Sequence, residues 1–581
     1  MVARQSGGRA ERTVDVVASR YPREPEVDEA QADACDRLDW PAAPALVATG
    51  EVVGVVVAVV CAVAVVGIGS VQLLPLALAL GAGPSLAARG VPVAVAELAR
   101  SRAVGDAPAL FGRLTLRLRV EPSLERAVAF AGHSGDGDLA ASLSEHARRA
   151  RGTPGSGLSS FAAAWREDAP GIERAAALVA DAADAPADER RRGCERALAA
   201  ARSGVEERAA SFAGEIRAPL TGLYAFGVLL PLALVGVLPA ARLAGVNVGI
   251  GTLAALYCLL LPLGLVTASG WLLAQRPVSF PPPRIDAGHP EVPDRRRSAA
   301  VIGGSVAAVS ASVCLLVLPW AAPMAAAGGG VGAALLWLFA PARELRREVR
   351  ETESGLPDAL ALVGRRVADG TAVEQALEEA AEELPGNTGD LLADAAERGE
   401  SLGLTAEEAF FGRFGALGDV PSPRARDACR LFSLAAAEGE PAGDALVAAG
   451  DHLRALRRVE REARRELAAI TGTLSNTAAL FGPLVGGVSV AMVGRIPANA
   501  GGASGALGGG GTSPASAAIG PASLGPVVGV YVLLLAAILT GLATALERGV
   551  DRSLLGYRIG LALPTATAAY VAAVVAAGAV L

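Results

Sequence analysis

Long apolar runs, each close to the length that crosses a membrane, divide this sequence from residue 46 to its end. A bilayer core about 30 Å thick requires a helix of about 20 apolar residues, because each helical residue rises by about 1.5 Å. A helix satisfies all of its backbone hydrogen bonds internally, so such runs predict membrane-spanning helices. We expect about nine spans, with two in each of 46–88, 218–273 and 299–341, and three in 471–581.

The composition agrees with an integral membrane protein. Hydrophobic residues make up 52% of the 581 residues and the mean hydropathy is +0.42, which is too apolar for a soluble chain of this length. Lysine is absent, so all 52 basic residues are Arg, and the 59 acidic residues leave a net charge of -7. An acidic composition rich in Ala and Gly suits a high-salt organism, because acidic surfaces stay hydrated when salt screens charge.

Arginine is unevenly distributed among the connections between the predicted spans. Basic connections stay on the cytosolic side, and the predicted outer connections carry only Arg242 and Arg495. The pattern predicts a multi-pass cell-membrane protein whose N-terminus is cytosolic and whose C-terminus is outside. Residues 1–45 are predicted to be a disordered cytosolic tail and 274–298 a cytosolic loop rich in Pro and Arg, whereas the Gly-rich loop 498–521 lies outside.

Two long polar blocks, 89–217 and 342–470, have the periodicity of helical bundles. In the second block Leu356, Leu360 and Val363 recur at steps of three and four, which places one apolar face on a helix. Segments rich in Gly and Pro separate about six such helices. The Arg pattern places both blocks in the cytosol. We therefore predict an all-α, polytopic membrane protein with two cytosolic helical bundles.

The two polar blocks share short segments at a constant distance along the chain. Residues 124–127 (Leu-Glu-Arg-Ala) parallel 373–376 (Val-Glu-Gln-Ala), and 205–208 parallel 459–462, about 250 residues apart in each case. Each block then continues into an apolar run. These parallels predict an internal repeat, and the alternative is a chance similarity between helices rich in Ala, Glu and Arg.

Several enzyme motifs occur without the context that their chemistry requires. The phosphate-binding loop of nucleotide hydrolases contains Lys, which is absent here. The GxSxG match around Ser401 follows a helix rather than a strand, and the stretch 502–505 around Ser504 belongs to a predicted outer loop. The GxGD match at 135–138, which includes Asp138, indicates a turn within a polar block rather than a protease site at a membrane edge.

The placement of Cys, His and acidic residues predicts no metal site, cofactor or catalytic residue. The six Cys are scattered, with three in apolar runs, and the four His are far apart, whereas metal sites cluster such ligands. Acidic residues in the predicted spans, Glu51 and Glu547, are confined to their ends. A charged side chain deep in a membrane costs free energy and is retained where function requires it. The absence of charges from the middle of the predicted spans therefore disfavours an ion-coupled transporter.

The layout and one stretch of the second block resemble a known family. The stretch contains 355–360 (Gly-Leu-Pro-Asp-Ala-Leu) and 369–377 (Asp-Gly-Thr-Ala-Val-Glu-Gln-Ala-Leu). The chain thereby resembles the type II secretion system F family of platform proteins, which includes archaeal members serving type IV pili and the archaellum. The likeness covers 344–495 well and 91–240 weakly, because 120–123 (Val-Glu-Pro-Ser) stands where the second block has its Asp-Gly turn.

The resemblance implies a non-enzymatic membrane platform for assembling a filament. Its implied partners are a cytosolic secretion or pilus ATPase, pilin-like subunits and the lipid bilayer. A homodimer is compatible with it, and nucleic acid is not expected. An adhesive pilus, an archaellum and a secretion pseudopilus remain open. The main alternative is a multi-span transporter or permease, which should show broken spans with polar linings, and a third is an intramembrane protease, which should show paired catalytic groups.

Arginines at the predicted cytosolic edge of the membrane are the expected contacts for the ATPase. Force applied there passes directly into the spans, and exposed Arg can pair bidentately with carboxylates. The alternative is that these residues only set the topology. The predicted contact residues are Arg457, Arg461, Arg464, Arg548 and Arg552.

Overall fold

A computed structural model of the chain describes residues 25–580 except 39, 68–73, 136, 153–154, 168, 244–248, 277–292, 294, 419, 440–441 and 494–520. These residues form helices and loops without a strand, which confirms the all-α prediction. In chain order the helices are α1 (Glu29–Arg37), α2 (Ala43–Gly67), α3 (Leu74–Gly105), α4 (Ala107–Val120), α5 (Leu124–Ser134), α6 (Asp138–Ala150), α7 (Leu158–Ala164), α8 (Pro170–Ala183), α9 (Ala187–Glu215), α10 (Arg217–Tyr224), α11 (Leu230–Leu243), α12 (Ile250–Ala255), α13 (Leu261–Ala274), α14 (Arg296–Val317), α15 (Ala322–Ala368), α16 (Val373–Glu383), α17 (Asn387–Leu402), α18 (Ala406–Phe411), α19 (Pro423–Glu438), α20 (Gly443–Asn476), α21 (Gly482–Val493), α22 (Pro521–Arg548) and α23 (Arg552–Val580).

Eight helical segments of the described chain are long and apolar enough to cross a membrane, so the chain is a multi-pass membrane protein. The sequence predicts about nine spans. The additional span is expected in the second half of 46–88, where α3 begins after the undescribed residues 68–73. The eight segments are Ala43–Val60, Ala187–Leu238, Ile250–Ala274, Arg296–Val317, Pro319–Ala368, Gly443–Val493, Pro521–Arg548 and Arg552–Val580.

The helix α1 lies in the segment 1–45 that is predicted to be disordered, so that prediction is wrong for residues 29–37. Ala34 and Cys35 of α1 are buried, and Gln31 donates from its amide nitrogen to the carbonyl of Ala88 at 3.0 Å. Low hydrophobicity predicts disorder for an isolated segment. Here the neighbouring α3 supplies the second surface, so a narrow apolar stripe is enough to hold a short helix. The predicted loops 274–298 and 498–521 lie mostly outside the described residues.

The helices α4 to α9 form bundle 1. Phe111, Leu114 and Leu118 project from one face of α4 and are fully buried together with Phe161 of α7. The spacing of three and four residues places these α4 side chains on the same face. Ser123 accepts a hydrogen bond in the first turn of α5 and starts that helix after the break at 121–122.

Bundle 2 comprises the second half of α15, the helices α16 to α19 and the first half of α20. Leu356, Leu360 and Val363 are buried in its core, which confirms the apolar face predicted from their spacing. Phe410 of α18 stacks on Phe432 of α19 with ring centroids 6.1 Å apart. Six described helices contribute to this bundle, in agreement with the number of segments between the Gly and Pro breaks.

The helices of the two bundles follow one another in the same order. α5 and α16 are both 11 residues long, and the long helices α9 and α20 have 29 and 34 residues. The spans that follow contain π-helical turns at Ala225–Leu229 and Thr477–Phe481, about 250 residues apart. Pro231 and Pro483 each stand two residues after their turn, and the residue before each proline donates its N–H five residues back. A proline has no N–H for the α-helical ladder, so the same local defect recurs in both spans.

Buried tyrosines hydrogen-bond to backbone carbonyls of neighbouring spans at these defects. The Tyr531 hydroxyl donates to the carbonyl of Gly227 within the first π-helical turn, and the Tyr257 hydroxyl donates to that of Pro231 at 2.5 Å. The two tyrosine rings pack edge to face with centroids 5.3 Å apart. Pro231 cannot donate to the carbonyl of Gly227 and the bilayer core offers no water, so the Tyr531 hydroxyl donates to that carbonyl instead. These bonds fasten α22 to the π-helical turn before α11, and the span of α12 and α13 to α11 itself.

The two bundles contact each other along α4. Arg113 pairs with Asp427 of α19 at 2.9 Å, and the Arg113 side chain is only 10% exposed. Arg117 pairs with Glu438 at the end of α19 at 2.7 Å. The bundles are therefore joined by specific ion pairs rather than by the spans alone.

His452 of α20 lies in this contact between the bundles. Its Nε2 donates to the carbonyl of Pro108 at 3.1 Å, and its ring lies against Gly112. Burial, with a smaller contribution from the charge of Arg202, lowers the pKa of His452 to about 4, although the hydrogen bond to Pro108 acts in the opposite direction. His452 is consequently neutral in the folded protein at neutral pH.

We expect the folded protein to lose stability as the pH falls from about 6.5 to about 4. An unfolded histidine has a pKa of about 6.5, so the unfolded chain binds a proton that the folded chain excludes, and linkage allows a loss of about 3 kcal/mol. The thermal unfolding midpoints of the wild type and of His452→Gln should be measured across this window. Gln keeps a donor for the Pro108 carbonyl but does not titrate, so its midpoint should fall less steeply. Parallel curves would show that His452 makes no such contribution.

Candidate partner-binding site where bundle 2 meets the spans

The five arginines predicted as partner contacts all lie where bundle 2 meets the spans, but they are not equally accessible. Arg461 and Arg552 are exposed, and the Arg464 side chain is 45% exposed. Arg457 and Arg548 are half-buried. The structure therefore brings the predicted residues into one region and divides them into an exposed set and a recessed set.

Arg457 holds α20 against α15. Its guanidinium donates to the carbonyl of Ser354 at 2.7 Å and to that of Glu353. The Nε of Arg461 donates to the backbone carbonyl of Arg457 at 3.2 Å, one turn back on the same helix. Arg457 is thus bonded within the chain, whereas Arg461 stays exposed.

An ion network lies beside Arg457 and joins three helices of bundle 2, with Glu353 and Glu460 buried and the Arg424 side chain 36% exposed. Glu353 of α15 accepts a hydrogen bond from the Ser422 hydroxyl at 2.8 Å and one from Arg424 at 3.3 Å. Arg424 also donates to Glu460 of α20 at 3.2 Å, and Glu460 accepts from Arg464. Burial opposes the charge of Arg424, but the charges of Glu460 and Glu353 outweigh it and raise the pKa of Arg424. The network fixes α15, α19 and α20 relative to one another.

The turn between α22 and α23 is attached to α15 by a second buried ion pair. Asp551 contacts Arg346, and their side chains are 6% and 8% exposed. The same carboxylate caps α23, because its Oδ1 accepts from the backbone N–H groups of Ser553 at 2.9 Å and Leu554 at 3.4 Å. Asp551 therefore closes the turn and ties it to the helix that enters bundle 2.

Glu547 completes the contacts of this turn. It accepts a hydrogen bond from the Thr471 hydroxyl of α20 at 2.6 Å and one from Arg558 of α23 at 3.1 Å. Nearby, Arg276 donates to the carbonyl of Leu546 at 2.8 Å. The ends of α13, α20, α22 and α23 are thereby connected at a single level of the molecule.

The buried and partly buried charges of this site are functional candidates that the sequence analysis misses. These charges stand in segments whose neighbouring residues are charged and solvent-exposed, so the composition of the segments indicates an ordinary polar surface. The residues are Glu353, Arg424, Arg346 and Asp551. The one available indication is Asp551 directly before an apolar helix, which is typical of an N-cap. Their burial depends on which helices meet, and periodicity carries no such information.

The enzyme motifs do not form a reactive site in the described residues. Ser401 is exposed in the last turn of α17, and no strand precedes it. Asp138 is the first residue of α6, whereas Asp136 and Ser504 lie outside the described part. Within the described part of the chain, no three His, Cys, Asp or Glu side chains come together as a metal site.

No family model, curated protein or solved structure matches this chain. The geometry offers two helices that run from bundle 2 into the spans, buried ion pairs that brace them, and exposed arginines beside them. Exposed guanidinium groups can bind carboxylates or phosphates. The arrangement suits a binding and transmission surface.

Proposed function

We propose that this chain is the membrane platform of a type IV pilus-like or type II secretion-like filament assembly machine. In this role the chain performs no catalysis, a cytosolic secretion ATPase acts on the bundles, and the spans gather pilin-like subunits. The Arg asymmetry supports a cytosolic position for both bundles. The shared helix order and the recurring proline-linked π-helical turns support two copies of one unit.

The observation that carries the proposal is the continuity of two helices between bundle 2 and the membrane. α15 has 47 residues, which corresponds to a rod of about 70 Å that begins among the spans and ends in bundle 2. The segment Gly443–Val493 returns from bundle 2 to the membrane in one continuous helical path. Rigid packed elements of this kind can transmit a displacement from a cytosolic partner to membrane-bound subunits.

We further propose that the ATPase docks on the exposed arginines Arg461, Arg464 and Arg552. They stand beside the two continuous helices, so a pull on them acts on the rods directly. The recessed Arg457 is already bonded to backbone carbonyls, and Arg548 is half-buried. The predicted docking set of five is thereby narrowed to its accessible members.

Replacing Arg461, Arg464 and Arg552 together with Gln is expected to weaken ATPase binding by between about tenfold and a hundredfold. Each exposed ion pair contributes up to about 1 kcal/mol, so three together have a measurable effect where one would not. Co-purification of the ATPase with the full-length protein and filament counts by electron microscopy measure the result. The matched control replaces Arg191, Arg192 and Arg196 of α9 with Gln, which removes the same charge from an exposed face of bundle 1.

Two results would contradict this assignment. If the triple variant inserts normally and retains the ATPase at high salt, the docking surface lies elsewhere on the bundles. If the control on α9 loses the ATPase to the same degree, net charge rather than a local surface governs binding.

A transporter or permease is the second candidate, and the interrupted spans favour it. Three spans in the described part of the chain contain π-helical turns, and interrupted helices line the substrate sites of many transporters. The hydroxyls of Tyr257 and Tyr531 at these turns are, however, bonded to the backbone of neighbouring spans. A strain that lacks this chain and still assembles filaments would favour the transporter.

A further inference from the structure

Four arginines from four different helices gather at the level where the spans end. They are Arg350 of α15, Arg464 of α20, Arg548 at the end of α22 and Arg558 of α23, and we call them the arginine cluster. Arg548 lies within interaction range of the other three guanidinium groups. Like charges that come together at partly buried positions repel one another, so such a cluster requires negative charge nearby.

Two members of the arginine cluster have a carboxylate partner. Arg558 donates to Glu547 at 3.1 Å, and Arg464 donates to Glu460. These acids are already shared, because Glu547 also accepts from Thr471 and Glu460 also accepts from Arg424. Each acid carries one negative charge, so the two acids offset only two of the four positive charges of the arginine cluster.

The other two members, Arg350 and Arg548, form no ion pair with a carboxylate among the described residues. The Nε of Arg350 donates to the neutral backbone carbonyl of Arg346 at 3.2 Å. Arg548 is half-buried, no described residue forms a hydrogen bond or ion pair with it, and the carboxylate whose charge acts on it is Glu547, which is bonded to Arg558. Glu353, whose charge acts on Arg350, is bonded to Arg424. The cluster thus carries two positive charges in excess at a partly desolvated position.

The surroundings of the arginine cluster match the headgroup region of a bilayer. The apolar part of α22 ends at Leu546, two residues before Arg548, and Val550 in the turn that follows α22 is 56% exposed. The guanidinium of Arg343 lies 4.4 Å from the ring centroid of Tyr557 on α23. Exposed aliphatic groups beside Tyr and Arg are typical of the membrane interface, where acyl chains and headgroups meet.

We propose that the arginine cluster binds the phosphate group of an anionic phospholipid, with Arg350 and Arg548 as the residues that engage it. A phosphodiester presents two oxygens to the fork of a guanidinium, and basic pockets between membrane helices hold such headgroups. The exposed Val550 and the ring of Tyr557 lie where the lipid chains would run. The negative phosphate of a bound lipid then offsets the excess positive charge between α15, α20, α22 and α23. Arg464 belongs both to the arginine cluster and to the proposed ATPase docking set, whereas the lipid contacts assigned to Arg350 and Arg548 do not depend on the platform function.

The test compares the full-length protein in nanodiscs of phosphatidylcholine alone and of phosphatidylcholine with phosphatidylglycerol. For the wild type we expect phosphatidylglycerol to raise the thermal unfolding midpoint and to be retained in native mass spectrometry. Charge-assisted hydrogen bonds imply about a tenfold loss of phosphatidylglycerol affinity per arginine in the variant R350Q/R548Q. The variant R548K keeps the charge but loses the bidentate fork, so an intermediate affinity is expected. The control is R465Q, which removes an exposed arginine from α20 and should behave as the wild type.

The sign of the effect without anionic lipid separates binding from a structural role. In phosphatidylcholine alone, R350Q/R548Q should unfold at the same temperature as the wild type or higher, because the substitution removes like-charge repulsion. The proposal is overturned if this variant is equally destabilised in both nanodiscs, or if it retains phosphatidylglycerol as the wild type does. It is also overturned if inorganic phosphate alone reproduces the stabilisation, since the ligand is then a free anion. Loss of ATPase binding with unchanged lipid binding would assign the arginine cluster to a protein partner instead.

Discussion

Replacing Asp551 with Ala is expected to lower the free energy of unfolding by about 3–5 kcal/mol, the usual cost of leaving one member of a buried ion pair unpartnered. The side chains of Asp551 and Arg346 are 6% and 8% exposed, so solvent screens their charges little. The same substitution removes the cap of α23, which adds about 1 kcal/mol. Because the pair joins α15 to the turn between α22 and α23, its loss should also loosen the contact between bundle 2 and the last two spans.

Unfolding of the full-length protein in mixed micelles measures this cost, and three further variants identify its origin. Asp551→Asn retains an oxygen for the cap but leaves the Arg346 charge unpaired, so most of the loss should persist. The double variant R346M/D551N removes both charges and should recover most of the stability. Asp451→Ala removes an acid that is 68% exposed in its pair with Arg454, and it should change the stability by no more than about 1 kcal/mol. Equal losses of unfolding free energy in Asp551→Ala and Asp451→Ala would show that the buried ion pair stabilises the protein no more than an exposed one.

Replacing Gly443 with Ala adds one methyl group and should open bundle 2, whereas the same change at Gly472 should not. A Cβ at Gly443 would lie 2.4 Å from the amide nitrogen of Ala368 and 2.7 Å from the carbonyl oxygen of Gly364, both backbone atoms of α15. Backbone cannot move aside as a flexible side chain does, so α15 and α20 must separate. We expect a loss of about 3 kcal/mol, the upper end for overpacking.

The buried thiol of Cys429 reports this opening. Cys429 is fully buried in the core of bundle 2, and burial raises the pKa of its thiol, so labelling requires the bundle to open. About 3 kcal/mol corresponds to about a hundredfold faster labelling of Cys429 in Gly443→Ala, with Cys194 in bundle 1 changing little. The control is Gly472→Ala in the same helix, where an added Cβ meets no atom within 4 Å and labelling should not accelerate. An unchanged Cys429 rate in Gly443→Ala would show that the close crossing of α15 and α20 is not required.

Helix type, span positions and buried faces follow from the order of residues along the chain. Leu356, Leu360 and Val363 are buried because their spacing places them on one side of a helix, and that relation involves only neighbours within two turns. Apolar runs near 20 residues predict spans for a similar reason, since bilayer thickness sets a length that can be counted in the sequence. The short helix α1 escapes prediction because its stability depends on contact with α3, which lies about 50 residues away.

The candidate site depends on contacts between residues that are far apart in the sequence. Arg457 and Arg461 look alike as members of one charged helix, but packing against α15 bonds Arg457 to backbone carbonyls and leaves Arg461 exposed. Arg346 and Asp551 both stand in charged segments and become a buried pair only when α15 meets the turn before α23. Hydrophobic period is a local property that neighbouring residues reveal, whereas the environment of a charge depends on which helices surround it, and those helices come from every part of the chain.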